Sequence, residues 1–302
     1  MIQDENGEFM FAVVGGGAAG SAAAFVLKRA GHDVVLFEAS DNLGGRTRTV
    51  QRDGFGVEVG AIYMLNSYAK CIELLNDSGA QNLLEPWSPP LAGLWDGRSL
   101  HPVQYDYMPS FFKIPMLTLR DKARLTVRAA QSILSPAPEP FETDSLAQFD
   151  KGENMEAWAR RRLGDPLFEC LVRPLIEPSF GTDCRELSVP YLQGVMKRAH
   201  RAKFFLSREG MGSVCCALTR GIDVRLGAEV TGIESGRDGV KIVTADASVL
   251  HVEGVVVATD ARRAAQLLET VLEPATVQAL NSARYASMAH VNLRWRRNPL
   301  AR

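Results

Sequence analysis

Residues Val13–Thr49 read VVGGGAAGSAAAFVLKRAGHDVVLFEASDNLGGRTRT. The run from Phe9 to Val14 has the near-continuous hydrophobicity of a parallel strand covered on both faces, and it stops at Gly15-Gly16-Gly17-Ala18-Ala19-Gly20. The alanine-rich stretch from Ala18 to Ala30 predicts a helix, with Gly31 where a C-terminal glycine belongs, and Asp33–Phe37 predicts a second strand. Glycines at 15, 17 and 20 suit three tasks: a tight turn, close approach of backbone to a pyrophosphate, and close packing of helix on strand. The helix N-terminus at Ala18 and Ala19 offers unpaired N–H groups to the phosphates. Glu38 closes the second strand, where a carboxylate accepts hydrogen bonds from ribose hydroxyls and disfavours a 2′-phosphate. A chance glycine-rich loop would not bring strand, helix, second strand and acid into register. The stretch is a βαβ dinucleotide-binding start, and NAD and FAD both fit it.

The next residues, Ala39–Met64, read ASDNLGGRTRTVQRDGFGVEVGAIYM. Two adjacent glycines, Gly44 and Gly45, allow close backbone approach, and the Arg46 guanidinium is a good partner for a diphosphate. With Gly44-Gly45-Arg46 directly after the acid, the sequence resembles the flavin-containing amine oxidase superfamily, which includes the protoporphyrinogen and coproporphyrinogen oxidases. The resemblance implies noncovalent FAD, with Gly15, Gly16, Gly17, Ala18, Ala19 and Gly20 at the pyrophosphate and Glu38 and Ala39 at the ribose. It places Gly44, Gly45 and Arg46 along the pyrophosphate and the Gly60 backbone beside the isoalloxazine ring, with Ala61, Ile62 and Tyr63 continuing that cofactor segment; Tyr63 either shapes the substrate side or packs in the core.

A later block, Ser207–Leu268, is similar to the part of these flavoproteins that returns to the nucleotide domain. It reads as a helix after Gly212, strands near Val224–Leu226, Thr231–Glu234, Lys241–Thr244 and Val249–Val252 with an Asp238-Gly239 turn, and a buried strand Gly254–Thr259 followed by a helix from Ala261. By resemblance, Val230 backbone meets the adenine, and Gly210–Gly212 begins the returning segment. The fold class expected is α/β: a discontinuous Rossmann-type FAD-binding domain from residues 1–65 and 205–285, with an inserted, mostly helical substrate lobe over 66–204.

Within the insert, Ser135–Pro140 reads as an exposed loop, and Glu153–Pro166 as a helix ended by Gly164 and Pro166. Leu119, Ala123, Val127, Ala130 and Leu134 share one helix face. Lys113, Arg120, Lys122, Arg124 and Arg128 stand against Asp121 alone. Two readings fit: an element docking on a membrane surface or guiding a hydrophobic anionic substrate, or a core helix with a solvated basic face. The second is preferred, because surface helices of this kind are common.

Composition limits the rest. With 302 residues and 46% apolar content, the chain can bury a large core and form two domains. A formal charge of -1 gives no global field toward nucleic acid or an anionic membrane, so nucleic acid is not an expected partner. Five cysteines without C-x-x-C spacing predict free thiols, and the adjacent Cys215 and Cys216 predict buried packing. No apolar run approaches the ~20 residues that span a bilayer, which predicts a soluble cytoplasmic protein, with peripheral membrane association left open.

No hydrolytic, metal or P-loop signature occurs. The hard chemistry therefore falls to a flavin: hydride from a hydrophobic or heterocyclic small molecule, porphyrinogen- or amine-like, to N5. No catalytic acid or base stands out. Two other readings remain open, a flavin-dependent sugar-nucleotide mutase and a nonenzymatic nucleotide-binding partner subunit. The family continues past the length of this chain. Met288–Arg297 alternates like a strand with one buried face, the start of an incomplete substrate-domain sheet over 286–302. A truncated member, a last part supplied by a complementing subunit or homo-oligomer, and a reduced substrate domain are the three explanations.

Overall fold

A computed structural model describes residues 10–87, 92–103, 108–198, 201–237, 239–289, 291–293 and 295. Phe9 and Asp238, which carry two of the expectations above, lie outside the described residues. The chain divides into two compact units: Met1–Pro86, Phe205–Tyr285 and Ala289–Arg302 form the first, and Trp87–Phe204 with Ala286–Met288 the second.

In the first unit, β1 (Met10–Val14), α1 (Ala18–Arg29) and β2 (Asp33–Phe37) follow one another. β1 pairs in parallel with β2 on one side and with the strand Gly254–Val257 on the other, and β2 pairs in parallel with Asp223–Arg225. Both faces of this sheet are covered, which is why its strands are apolar without alternation. Val13, Val34 and Leu36 pack on Ala24 of α1. Ala12, Val14, Val35 and Phe37 point the other way and pack on Val230, Ile233, Ile242 and Val252. Those four come from an antiparallel sheet of Val230–Gly236, Gly239–Thr244 and Val249–Val252.

β3 (Thr49–Arg52) and β4 (Phe55–Glu58) form a hairpin whose two turn residues, Asp53 and Gly54, both have positive φ, 51° and 76°. That is the backbone an Asp-Gly hairpin turn favours, because its twist matches the strands. Residues 66–86 also belong to this unit, beyond the boundary expected at 65. Leu75 and Ala80 are buried in a cluster with Met64, Met211, Val214 and Leu218, so burial assigns this segment to the first unit.

The second unit is mostly helical, around a core that includes Phe111, Ile114, Leu117, Met155, Leu163, Phe168 and Leu192. Helix Met155–Leu163 starts where the Asn154 side chain accepts from the Ala157 N–H at 2.8 Å, and it ends at Gly164 with φ 90°. The segment Ser135–Pro140 forms a loop, but Pro138 and Pro140 are buried rather than exposed. Helix Val189–Arg198 holds it: Lys197 donates to the Ser135 carbonyl and Arg198 to that of Pro138.

Helix Leu119–Leu134 overturns the packing reading. Its apolar face looks outward: Leu119 is 86% exposed, Val127 54% and Leu134 85%, with Ala123 and Ala130 also exposed. The inward side is mixed. Leu125 packs on the core, while Arg124 donates to the Leu163 carbonyl at 3.0 Å and Arg128 to that of Arg162 at 3.2 Å. These carbonyls lie at the end of helix Met155–Leu163, which leaves acceptors unpaired and carries partial negative charge. Satisfying them turns the basic side in.

The strand expected at Met288–Arg297 does not form among the described residues; Met288, Val291, Leu293 and Trp295 are exposed and irregular. No neighbouring strand pairs with them there, and a strand needs ladder partners to be stable. Of the adjacent cysteines, Cys215 is buried and Cys216 exposed, since neighbouring helix positions point in different directions. Among the described residues, no helix is long and apolar enough to cross a membrane, and no cluster of His, Cys, Asp or Glu is placed to hold a metal ion.

Candidate nucleotide site

The glycine turn sits at the carboxyl ends of β1 and β2. Gly15 has φ +108° and donates to the Phe37 carbonyl at 2.8 Å. A Cβ there would lie 2.9 Å from the Ala258 carbonyl oxygen, and one at Gly20 would fall 1.8 Å from the Gly15 oxygen. Both glycines are therefore required by the protein's own packing. Gly17 differs, since a Cβ there would meet nothing closer than the Gly44 oxygen at 3.9 Å. Its bare side faces open space, where a ligand can reach the backbone.

α1 begins at this point with no side-chain cap and no acid in its first turn, and Ala18 and Ala19 are exposed. Its first N–H groups carry about half a positive charge and lack helical partners, which is the condition for binding an anion.

Glu38 folds back over the turn. One carboxylate oxygen accepts the Gly16 N–H at 2.6 Å; the other accepts the Ser40 N–H at 2.9 Å and hydroxyl at 2.7 Å. A carboxylate has about four acceptor positions, so the oxygen on Gly16 keeps one for a further donor. Ala39 beside it is exposed.

Gly44-Gly45-Arg46 lies against the turn itself. Gly44 donates to the Gly16 carbonyl at 2.9 Å and forms an isolated parallel bridge with Gly17, and a Cβ on Gly45 would come within 3.3 Å of the Gly17 Cα. Gly44 and Gly45 have φ +115° and +51°, so glycine is needed for conformation as well as space. The Arg46 side chain is exposed, and its carbonyl accepts the Ala61 N–H at 2.9 Å. A Cβ on Gly60 would lie 2.0 Å from that same oxygen. The structure thus joins the glycine turn, the G-G-R segment and Gly60–Ala61 in one continuous backbone surface. Gly60, Ala61 and Ile62 are exposed; Tyr63 is half-buried, and burial raises its phenol above the usual value.

Val230 is buried beside Val14 and Phe37, so the returning block does approach these strand ends. Ala228 donates to the Glu38 carbonyl at 2.9 Å and Gly227 to that of Ser40 at 2.8 Å. The Val230 carbonyl accepts from Arg263 at 2.9 Å. A hollow of about 270 Å3, lined by Phe37, Arg225–Glu229 and the 244–250 turn, takes none of its walls from the cradle residues.

Sequence reading missed a partly buried clip behind this surface. Glu58 accepts the Met211 N–H at 2.9 Å and the Thr49 hydroxyl at 2.8 Å, and Thr49 accepts the Gly212 N–H at 3.0 Å. The available signal was an acid between Val57 and Val59, close to the required Gly60. Asp260 was also missed: it caps helix Ala261–Leu267 through the Arg262 and Arg263 N–H groups, and Arg263 in turn bonds Glu229 and Val230. An Asp before a helix is a start signal.

Residues 18–302 match the family of flavin containing amine oxidoreductases. The chain belongs to that family. Its members are oxidoreductases and their cofactor is FAD. The chain is 29% identical to coproporphyrinogen III oxidase of Bacillus subtilis over 190 residues, 59% of this chain and 38% of that protein. It is 25% identical to polyamine oxidase 3 of Oryza sativa over 268 residues, 82% of this chain and 50% of the relative. Among solved structures, cyclohexylamine oxidase from Brevibacterium oxydans superposes with a TM-score of 0.66 at 20% identity, covering 91% of this chain and 63% of that one. The mixed α/β fold is thus that of the FAD-dependent amine oxidases, and the chain spans less than two thirds of the length of these relatives.

Proposed function

We propose that Gly15–Gly20, Glu38, Ala39, Gly44–Arg46, Gly60–Tyr63 and Val230 hold FAD noncovalently, and that the protein is an FAD-dependent oxidoreductase. The contact of Gly44-Gly45 with the Gly16-Gly17 turn carries this reading. It extends a generic dinucleotide turn into a longer surface of bare backbone, with the open side of Gly17 and the uncapped N-terminus of α1 at one end and Gly60–Ala61 at the other. The cradle fits an extended diphosphate: amide groups and the exposed Arg46 guanidinium meet the phosphates, and the spare acceptor on Glu38 meets a ribose hydroxyl. FAD, when bound, supplies a hydride acceptor at the flavin N5.

The relatives, whose names are those of porphyrinogen and polyamine oxidases, support a substrate of that class. A hydrophobic or heterocyclic small molecule, porphyrinogen- or amine-like, gives up the hydride. The exposed Ile62 and half-buried Tyr63 continue from Gly60–Ala61 and are the nearest side chains to shape the substrate side. The test is the visible spectrum of the purified chain after reconstitution with FAD, followed by anaerobic reduction with a porphyrinogen or an amine. Flavin absorbance bleached by one donor class supports the reading and selects the substrate. A chain that takes up no FAD overturns it.

A further inference from the structure

Helix Leu119–Leu134 is built the wrong way round for a helix that serves only its own core. At about 100° per residue, Ile133, Thr126, Leu119, Ala130, Ala123, Leu134 and Val127 fall in an unbroken arc of roughly 120°. Every one of them is exposed. Arg120 borders the arc on one side and Lys122 on the other, and Lys113 precedes the helix; none of the three enters an ion pair among the described residues. The helix is held in this orientation rather than left loose. Thr118 and Asp121 form a capping box at its start, and Arg124 and Arg128 are bonded to the end carbonyls of helix Met155–Leu163.

We propose that this outward arc docks the protein on an anionic lipid surface. An aliphatic arc bordered on both sides by cations is the arrangement of a helix lying in the interfacial plane, with apolar residues among the acyl chains and basic residues at the headgroups. Charge separates this occupant from a second copy of the chain. Two such helices packed face to face would bring Arg120 and Lys122 against their own kind, since Asp121, the one acid within the helix, is buried and held by its cap. Shape and composition separate it from a folded partner protein. The arc is a convex ridge of Leu, Ile, Val and Ala with one Thr, without the Trp or Tyr anchors that dominate protein interfaces. A fluid bilayer conforms to a ridge, whereas a protein partner must supply a matching groove.

The experiment is sedimentation of the full 302-residue chain with vesicles of phosphatidylcholine alone and with phosphatidylglycerol added. Binding is expected only with phosphatidylglycerol, and it should weaken as salt is raised, because the charges involved are exposed. The variant R120Q/K122Q should lower partitioning about fivefold for each charge removed. L119Q/V127Q/L134Q should abolish it while leaving the circular dichroism spectrum unchanged and the melting temperature nearly so, as Leu119 and Leu134 are largely exposed and Val127 is half exposed. Equal binding by parent and variants, equal binding to both vesicle types, or no binding to either overturns the proposal. So does a concentration-dependent dimer lost in the triple variant without vesicle binding, which would assign the arc to a second copy.

Discussion

The carboxylate of Glu58 accepts the backbone N–H of Met211 at 2.9 Å and so joins the end of β4 to a residue more than half the chain away. Its other oxygen takes the Thr49 hydroxyl, which itself receives the Gly212 N–H. Three polar groups behind the Gly60 backbone thus depend on one side chain. Glu58→Ala should destabilise the folded chain by about 1.5–3 kcal/mol, the cost of removing hydrogen bonds to a charged, partly buried group. Glu58→Gln keeps an acceptor for Met211 and should lose about half as much. Thermal melts of the two variants check this, and equal melting temperatures for Ala and parent would count against the clip.

Gly17 and Gly20 separate packing from binding. Gly20→Ala puts a methyl 1.8 Å from a backbone oxygen, so the apo chain itself should melt at lower temperature. Gly17 has φ -76° and an empty side. Gly17→Ala should therefore melt like the parent without FAD, yet bind FAD at least about tenfold more weakly, because the methyl occupies the space left for the pyrophosphate. Titration of FAD by fluorescence quenching measures the second effect; unchanged affinity in Gly17→Ala would move the pyrophosphate away from this turn.

Glu38 has a double role in the proposed site, orienting the Gly16 and Ser40 N–H groups and leaving an acceptor for ribose. Glu38→Ala should weaken FAD binding by roughly 10–100-fold, corresponding to the loss of a charge-assisted hydrogen bond. Isothermal titration would detect this directly, and parent-like affinity would place the ribose acid elsewhere.

Thiol chemistry follows burial. Cys184 has no exposed surface, and burial, together with the charge of Glu177, pushes its thiol up to about 11. Around pH 8 only ~10⁻³ of it is thiolate, the reactive form. Cys216 is exposed and Cys215 buried. Iodoacetamide followed by peptide mass mapping should modify Cys216 while sparing Cys184 and Cys215 until the chain is unfolded. Early modification of Cys184 would contradict its placement.

The turn between strands Ala92–Trp95 and Leu100–Val103 carries a pH marker. Asp96 accepts from the His101 ring and from the Arg98 and Ser99 N–H groups, each at 2.7 Å, and these bonds hold its carboxyl at about 2. The unfolded value is about 3.9. The folded value is the lower one, so the stabilisation is complete above about pH 4 and disappears as the pH falls through about 2. A carbon-detected NMR titration should show the low midpoint; a midpoint near about 4 would mean that the turn is not formed in solution.

The parts legible in sequence are those governed by local chemistry. Gly15, Gly44 and Gly45 declare positive-φ backbone, the apolar runs at Met10–Val14, Asp33–Phe37 and Gly254–Val257 declare strands covered on both faces, and Glu38 follows from its place at a strand end. Each depends on a few neighbouring residues, so the order of residues alone determined them. Tertiary structure decided what depends on partners distant in the chain: that Glu58 meets Met211, that Gly44 lies on Gly17, and that residues 66–86 pack with the first unit. The clearest case is helix Leu119–Leu134. Its period states that an apolar stripe exists, but not on which side its neighbours lie. The end carbonyls of helix Met155–Leu163 settled that, by drawing Arg124 and Arg128 inward and leaving Leu119, Val127 and Leu134 facing out.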